Sequence, residues 1–220
     1  MLQRKKGGFY MSGNYIITIG REYGSGGLEI GQKLAEKLGI KCYDKELINL
    51  VAEKKGFKKE TLEKVDEKKG SSLLEPSGSF FPSRPSKNLP AFGAFGKTIN
   101  DKVFLAESTV IHSLAEQESC VIIGRCANMI LKDRENVLTV FIQAPKKARI
   151  KRLAERLQLS EETAEKEAHR IDKIRASYYQ FYTDTKWGDR NNYDLVINSG
   201  AFGIDNVVNI IKDIAENKFS

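Results

Sequence analysis

A glycine-rich segment behind the first apolar run of the chain has the residue pattern best suited to binding an anion. It reads Gly20-Arg21-Glu22-Tyr23-Gly24-Ser25-Gly26-Gly27. Glycines allow successive backbone N–H groups to turn toward one anion, and the positive end of a following helix dipole adds to the attraction. Residues 28–38, directly behind it, show the apolar spacing of a helix. The pattern therefore predicts a strand, a phosphate-binding loop and a helix.

Arginines and acids further along the chain could contact a bound phosphate or a metal ion beside it. Guanidinium groups bind phosphate oxygens in forked contacts. Arg125 follows an apolar run in the dipeptide Gly-Arg, at the expected end of a buried strand. Arg149, Arg152 and Arg156 are three and four residues apart, so a helix would place them on one face. Asp44 closes the second strand, where it could hold Mg²⁺ through water, hold an acceptor or cap the next helix.

Short apolar runs alternate with helical segments and predict the elements that would position these side chains. The strands are expected at 15–19, 40–43, 120–123, 137–142 and 193–198. The helices are expected at 28–38, 45–55, 58–69, 101–118, 146–157, 160–182 and 205–217. Such alternation predicts an α/β fold, with a five-stranded parallel sheet covered by helices on both faces. Ligands of such sheets bind at the carboxyl ends of the strands, where the glycine loop lies.

The length of 220 residues favours a single domain. We expect a disordered leader at 1–13 and one domain at 14–220. Four of the five prolines fall within about 70–97, among serines, glycines and phenylalanines, which predicts a flexible insertion. Its aromatic rings favour a lid or a partner-contacting loop as much as a plain surface loop, and both interpretations stay open.

Composition narrows the classes of partner and compartment. The chain has 36 Lys and Arg against 29 Asp and Glu, a net charge of +7, which favours anionic partners. Its three cysteines form no C-x-x-C pair, so a reducing cytoplasm is expected. With two histidines, a zinc site is not expected, and no apolar run is long enough to span a bilayer. Nucleic acid and membrane are not expected as partners, whereas a homo-oligomer is compatible with the sequence.

One competing interpretation is an NAD-dependent short-chain dehydrogenase. The spacing Gly20-x-x-x-Gly24-x-Gly26 matches the cofactor turn of such enzymes, Asp44 would be the ribose acid, and Tyr182 with Lys186 mimics their catalytic pair. Only 34 residues follow Lys186, too few for the remaining strands of that fold. A four-residue match of this kind also arises readily by chance.

Motifs along nearly the whole of 15–215 resemble the cytidylate kinase-like family of P-loop nucleoside monophosphate kinases. The matching stretches are Ile17 to Gly27 with Leu34-Ala35-Glu36-Lys37-Leu38-Gly39, Tyr43-Asp44-Lys45-Glu46-Leu47, Val121 to Ala127, Val140-Phe141-Ile142-x-Ala144-Pro145, Asp172-Lys173-x-Arg175-Ala176-x-Tyr178-Tyr179, and Trp187 with Tyr193 to Ser199. The resemblance implies that ATP and Mg²⁺ are the cofactors and that a nucleoside monophosphate accepts the γ-phosphate, with CMP or dCMP as the first candidate.

The resemblance also implies roles for individual residues. Gly24, Ser25, Gly26 and Gly27 would hold the donor phosphates through their backbone. Arg125 would hold the acceptor phosphate, with Asp44 also on the acceptor side. A helical lid at about 146–192 would contribute four side chains: Arg152 to stack on the ATP base, Arg156 to reach the phosphates, and Asp172 and Arg175 as the acid and arginine of the lid.

The chain departs from the P-loop pattern at two positions that matter for catalysis. Gly27 stands where a Walker A loop has its lysine, and Leu28 stands where it has the Mg²⁺-binding Ser/Thr. Arg21 would restore a cation by approaching from the other end of the loop; alternatively, it pairs with Glu22 or Glu29 on the surface. Lys45-Glu46-Leu47 also replaces the acceptor-side Thr-Gly-Ala of true cytidylate kinases. A nucleotide-binding regulator without turnover therefore remains the second functional hypothesis.

Overall fold

The computed structural model describes residues 13–44, Glu53, Gly56 and 99–220. In that part of the chain the strands are Ile16–Arg21 (β1), Lys41–Tyr43 (β2), Cys120–Ile123 (β3), Val137–Gln143 (β4) and Leu195–Asn198 (β5). The helices are Gly27–Leu38 (α1), Ile99–Gln117 (α2), Ala127–Ile130 (α3), Lys146–Leu157 (α4), Glu161–Thr183 (α5), Ser199–Phe202 (α6) and Ile204–Lys218 (α7), with a 3₁₀ turn at Arg190–Asn192.

The strands form one parallel sheet in the order β2-β3-β1-β4-β5. The predicted α/β class with a five-stranded parallel sheet is therefore confirmed. Central strand β1 pairs with β3 through Ile19 and Ile123 and with β4 through Arg21 and Ile142. This register brings the ends of β1 and β3 side by side. The order differs from the 3-2-1-4-5-6 arrangement of the dinucleotide-binding fold.

Alternate side chains of the central strands are buried on opposite faces of the sheet, as parallel strands covered on both sides require. Ile17 and Ile19 pack with the apolar stripes of α1 and α7, whereas Ile16 and Ile122 pack with α2 and α3. Helix α1 ends at Gly39, whose φ of 67° is the left-handed conformation that glycine adopts without strain. The two apolar layers hold the strand ends rigidly, so the loops that follow them have a fixed platform.

The predicted element boundaries agree closely with the structure wherever they can be compared. Strand 120–123 and helix 146–157 match β3 and α4 to the residue. Short helices α3 and α6 and the 3₁₀ turn were not predicted, because single turns carry too few residues to show a period. The expected helices at 45–55 and 58–69, the insertion at 70–97 and the leader lie outside the described residues, apart from Gly13 and Glu53.

Helices α4 and α5 form the antiparallel pair that the sequence assigns to the lid at 146–192. They share a small core of their own, made by Ile150, Leu153, Ala164 and Ala168, and Tyr23 of the glycine loop packs against it. The pair is therefore a separate unit that rests on the loop; whether it opens and closes stays a prediction. None of the described helices is long and apolar enough to cross a membrane.

Candidate functional site

The loop between β1 and α1 has the backbone shape of an anion cradle. Gly24 and Gly26 both have φ of 81°, which is the left-handed region that a side chain would make costly. Ser25 between them is buried, and its Oγ donates a hydrogen bond to the carbonyl oxygen of Glu22 at 2.8 Å. Gly26 offers no side-chain cap to α1. The N–H groups of the first helical turn therefore have no side-chain acceptor at the N-cap, which is the arrangement that binds phosphate.

Three arginines of α4 face this loop, as their spacing predicts. Nη1 of Arg149 donates to the carbonyl oxygen of Tyr23 at 3.1 Å, and Nη1 of Arg152 approaches that of Gly24 at 3.5 Å. Arg156 lies over the Tyr23 ring, 5.6 Å from its centroid, within the range of a cation–π contact. A Cβ at Gly24 would stand 2.8 Å from the carbonyl oxygen of Arg149. The helix thus lies directly on the loop, and only glycine fits beneath it.

Asp172 of α5 ties the same loop to the helix pair. Its Oδ1 accepts a hydrogen bond from the backbone N–H of Tyr23 at 2.7 Å, while its Oδ2 pairs with Nη1 of Arg149. Both side chains are mostly buried, at 17% and 14% exposure. Charge-assisted bonds in such surroundings are stronger than neutral ones. Asp172, the predicted acid of the lid, therefore connects α5 to the glycine loop and to Arg149.

A cavity of about 420 Å³ opens beside the loop at the carboxyl ends of β1 and β3. Its cationic wall consists of Arg21, Arg125 and Arg175, and a fourth lining arginine, Arg170, pairs with Glu167. Other lining residues are Thr18, Ile19, Gly20, Ile123, Gly124, Cys126, Asn128, Ile171, Ile174, Tyr178, Tyr179, Trp187 and Tyr193. The volume lies within the range of ~300–1,000 Å³ that is usual for small-molecule sites. Guanidinium groups clustered around one cavity favour an anionic ligand.

Arg125 is held in place by a buried acid. Its Nη1 lies 2.8 Å from Oε1 of Glu107, and the two side chains are 9% and 1% exposed. Oε2 of Glu107 accepts a hydrogen bond from the hydroxyl of Tyr178 at 3.0 Å. Burial, together with the charge of Glu107, raises the pKa of Tyr178, so this hydroxyl stays protonated and donates. The carboxylate therefore fixes both a cation and an aromatic ring of the cavity wall.

The backbone at the end of β3 is strained where it presents Arg125. Gly124, Arg125 and Cys126 have φ of 75°, 57° and 56° in succession. The left-handed region costs non-glycine residues of order 1–3 kcal/mol and is concentrated at functional sites. This turn directs two consecutive side chains into one cavity, a result that a regular strand end would not give.

Arg21 crosses the carboxyl ends of β1 and β3. A Cβ at Gly124 would collide with Nη1 of Arg21, so the guanidinium lies directly over that glycine. Nη1 of Arg175 donates to the carbonyl oxygen of Arg21 at 3.1 Å. Burial, with the charges of Arg175 and Arg125 nearby, lowers the pKa of Arg21, whereas Asp44 opposes the shift. Because an arginine stays protonated at neutral pH, this cluster holds positive charge at a cost that a bound anion would offset.

Aromatic and amide side chains also line the cavity. Nδ2 of Asn128 donates to the hydroxyl of Tyr179 at 2.9 Å and to the carbonyl oxygen of Asn192 at 3.2 Å. Phe141 of β4 contacts Trp187 and Tyr193 with ring centroids 5.4 and 5.0 Å apart. A cavity lined by both cations and aromatic rings suits a ligand that joins a phosphate to a flat base.

The structure divides the predicted site residues into two neighbouring groups. Arg21, Arg125 and Arg175 meet in the cavity. Gly24, Ser25, Gly26, Gly27, Arg152, Arg156 and Asp172 lie in the glycine loop or against it. Asp44 follows β2, and its charge acts on Arg21. Neither residue of the pair in the dehydrogenase interpretation, Tyr182 and Lys186, lines the cavity; the Tyr182 hydroxyl donates to Asp101 at 3.3 Å and its ring stacks on Phe104.

Glu107 is the functional side chain that sequence reasoning missed. A signal for it exists, since Glu107 follows Val103 by four residues and precedes Val110 by three, on the buried stripe of α2. A glutamate on an apolar face needs a buried partner. The sequence did not identify that partner, because Arg125 lies on a different element.

The described residues offer little side-chain chemistry for a metal cage. No group of three or more His, Cys, Asp or Glu among them is placed to hold a metal ion. Ser25 is engaged with the carbonyl oxygen of Glu22. Mg²⁺ is commonly held by carboxylates together with waters and substrate phosphates. Asp44, beside the cationic cluster, fits that mode of binding.

Curated proteins that are named cytidylate kinases match about half of this chain. A cytidylate kinase of Methanococcus aeolicus is 32% identical over 108 residues, covering 48% of this chain and 60% of the relative. The cytidylate kinase of Thermococcus sibiricus is 37% identical over 99 residues, covering 44% and 50%. The matched part of this chain therefore spans about half to three-fifths of the length of these relatives.

Solved structures and a family model extend the similarity to most of the chain. A crystal structure of an uncharacterized protein from Eubacterium ventriosum superposes with a TM-score of 0.68 at 30% identity, covering 92% of this chain and 99% of that one. Shikimate kinase from Acinetobacter baumannii, in complex with shikimate, gives a TM-score of 0.51 at 18% identity over 94% and 96%, which places the fold among P-loop kinases. The model of the cytidylate kinase-like family matches residues 16–201. With its glycine loop and arginine-lined cavity inside that range, the chain belongs to the cytidylate kinase-like family.

Proposed function

We propose that this protein transfers the γ-phosphate of ATP, bound with Mg²⁺, to a nucleoside monophosphate, with CMP or dCMP as the first candidate acceptor. The observation that carries the proposal is the meeting of Arg21, Arg125 and Arg175 around one cavity beside the glycine loop. Phosphoryl transfer depends mainly on positioning and on cations that stabilise charge in flight. The arginines of the cavity would supply the cations, and the packed ends of β1 and β3 would hold them in position.

The donor nucleotide would bind at the glycine loop. The backbone N–H groups of Gly24 to Gly27 and the first turn of α1 would hold its phosphates. Arg152 contacts Gly24 and Gly26, so its charge stands at the loop rather than far out on the lid. Mg²⁺ would neutralise the phosphate oxygens when bound, with Asp44 holding it through water.

The acceptor would bind in the cavity. Arg125, oriented by Glu107, would take its phosphate in a forked contact. Tyr179, Trp187 and Tyr193 also line the cavity and would face the base or the sugar. The choice of CMP or dCMP rests on the family and on the names of the curated relatives. Cys126 stands where true cytidylate kinases have an aspartate for the base, so discrimination among bases would use other groups of the cavity.

An acceptor screen tests the proposal. Purified protein is incubated with ATP and Mg²⁺ and each of CMP, dCMP, UMP, AMP and shikimate, and ADP release is followed by a coupled assay. We expect the fastest turnover with CMP or dCMP, and an Arg125→Ala variant with a KM for that acceptor raised at least tenfold. Absence of turnover with every acceptor, in protein that ATP stabilises against heat, would favour the nucleotide-binding regulator.

A further inference from the structure

The arginine of this loop stands at a different position from the lysine of a Walker A loop. The Walker A pattern, G-x-x-x-x-G-K-[ST], has its first glycine six residues before the lysine. When Gly26 is taken as the second glycine, the lysine position is Gly27 and the first glycine position is Arg21. The chain therefore has an arginine where the pattern has glycine, and a glycine where the pattern has lysine.

The structure shows that the two positions compete for the same space. A Cβ added at Gly27 would lie 2.5 Å from Cβ and 2.9 Å from Cγ of Arg21. Real Cβ atoms do not approach so closely, and the atoms of Arg21 involved are next to the backbone, where they cannot swing away. Only one of the two positions can therefore carry a long side chain. The remaining neighbour of that added Cβ is the side chain of Ile142 on the adjoining strand.

The rest of the Arg21 side chain extends from β1 to the cavity. Its guanidinium lies over Gly124, which has no side chain to block it. There it lines the cavity together with Arg125 and Arg175. The lowered pKa of Arg21 reflects burial and these two cations. A side chain kept purely for stability would not be placed against two like charges.

We propose that the glycine and the cation of the Walker A loop have exchanged positions in this protein, so that Arg21 delivers from β1 the phosphate-binding charge that a lysine delivers from the start of the helix. This proposal rests on the proposed function for its substrate, a nucleoside triphosphate. Arg21 then contacts the transferred phosphate, and Gly27, which has no side chain, leaves room for Cβ and Cγ of Arg21.

Reciprocal substitution tests the exchange. Arg21→Gly removes the cation, and Gly27→Lys alone adds a side chain that collides with Arg21. We expect each single variant to weaken ATP binding, measured by calorimetry, at least tenfold. The double variant Arg21→Gly/Gly27→Lys should bind ATP at least tenfold more tightly than Arg21→Gly. Without the Arg21 side chain, the new lysine no longer collides with it and can contact the ATP phosphates. Arg190→Ala removes an exposed arginine outside the cavity and should leave binding unchanged.

Two further variants keep the test decisive if the double variant does not fold. Arg21→Lys retains a charge and should retain more ATP affinity than Arg21→Ala, which retains only the Cβ. Ligand-free Arg21→Ala should melt at the wild-type temperature or above it, because a cation is removed from beside two others. A large fall in its melting temperature, or ATP binding equal to that of wild type, would overturn the proposal.

The outcomes separate this proposal from the proposed function. If wild-type protein turns over no acceptor but ATP affinity follows the charge at position 21, the exchange stands and the kinase activity fails. If wild-type protein is an active kinase and Arg21→Ala is equally active, the exchange is wrong and the activity stands.

Discussion

At the scale of single residues, the charge of the site depends on one buried carboxylate, Glu107, and on the guanidinium groups of Arg21, Arg125 and Arg175, since the fourth lining arginine, Arg170, pairs with Glu167. Glu107 forms an ion pair with Arg125. The Arg175 side chain donates a hydrogen bond to the backbone carbonyl oxygen of Arg21, which keeps these two arginines close to each other. Burial, with the charges of Arg125 and Arg156, lowers the pKa of Arg175 as well, although Asp172 and Tyr23 oppose the shift. The cavity therefore keeps an excess of positive charge, and that excess is what an anionic substrate would meet.

Glu107 is expected to act as a positioning residue for Arg125. Glu107→Ala removes one partner of a buried ion pair, so we expect a loss of about 3–5 kcal/mol in the free energy of unfolding, measured by urea denaturation. Glu107→Gln keeps the shape and should fold. Its KM for the acceptor should rise at least fivefold, while its KM for ATP stays near that of wild type.

Glu116→Gln on the same helix is the matched control. Its side chain is exposed, so neither stability nor KM should change by more than the error of the measurement. Equal KM values for Glu107→Gln and wild type would show that Arg125 needs no support from this acid.

At the scale of elements, the contact between the α4–α5 pair and the glycine loop decides the geometry of the donor site. Asp172 accepts from the backbone N–H of Tyr23, Arg149 donates to the backbone carbonyl oxygen of the same residue, and the two side chains pair with each other. Arg175 and Arg156 both lie near the Tyr23 ring, at 5.3 and 5.6 Å from its centroid. Tyr23 thus joins the loop to both helices, so loop shape and helix position are coupled.

Loosening this contact should weaken the donor site. Asp172→Asn can still accept from the Tyr23 N–H but no longer balances the charge of Arg149. Hydrogen bonds to charged groups are worth about 1.5–3 kcal/mol, so we expect a loss of that order in unfolding free energy and a raised KM for ATP. Glu162→Gln breaks an exposed pair on the same helix with Lys166, which should change stability by less than about 1 kcal/mol. A wild-type KM for ATP in Asp172→Asn would argue against the coupling.

At the scale of the whole molecule, the net charge of +7 matters through its placement. Two apolar layers hold the sheet, and the carboxyl ends of its central strands present the arginines of the cavity. Surface pairs such as Lys33 with Glu29 and Asp205 are exposed and contribute little to stability. The charges that could contribute most to ligand binding are therefore concentrated at the carboxyl ends of the central strands.

Polyvalent anions should stabilise the whole protein by binding to the arginines at the carboxyl ends of the central strands. A ligand at about 100 times its Kd stabilises the native state by about 2.7 kcal/mol, which corresponds to about 5–10 °C in Tm for a domain of this size. We expect pyrophosphate to raise Tm by this amount, and sodium chloride at equal ionic strength to raise it far less. Lys147→Ala, on the exposed side of α4, should respond as wild type does. Equal shifts with the two salts would show that no specific anion site exists.

The sequence by itself determined the elements, the parallel sheet and the glycine loop, because hydrophobic period and glycine placement are local properties of the chain. It also singled out Arg125 and the face shared by Arg149, Arg152 and Arg156, since strand ends and helical spacing can be counted. Only the tertiary structure decided which cations meet in one cavity, that Glu107 supports Arg125, and that the stem of Arg21 fills the space beside Gly27. These contacts join residues far apart in the chain or across a turn, so they depend on how the elements pack and where each side chain points, which a linear pattern does not record.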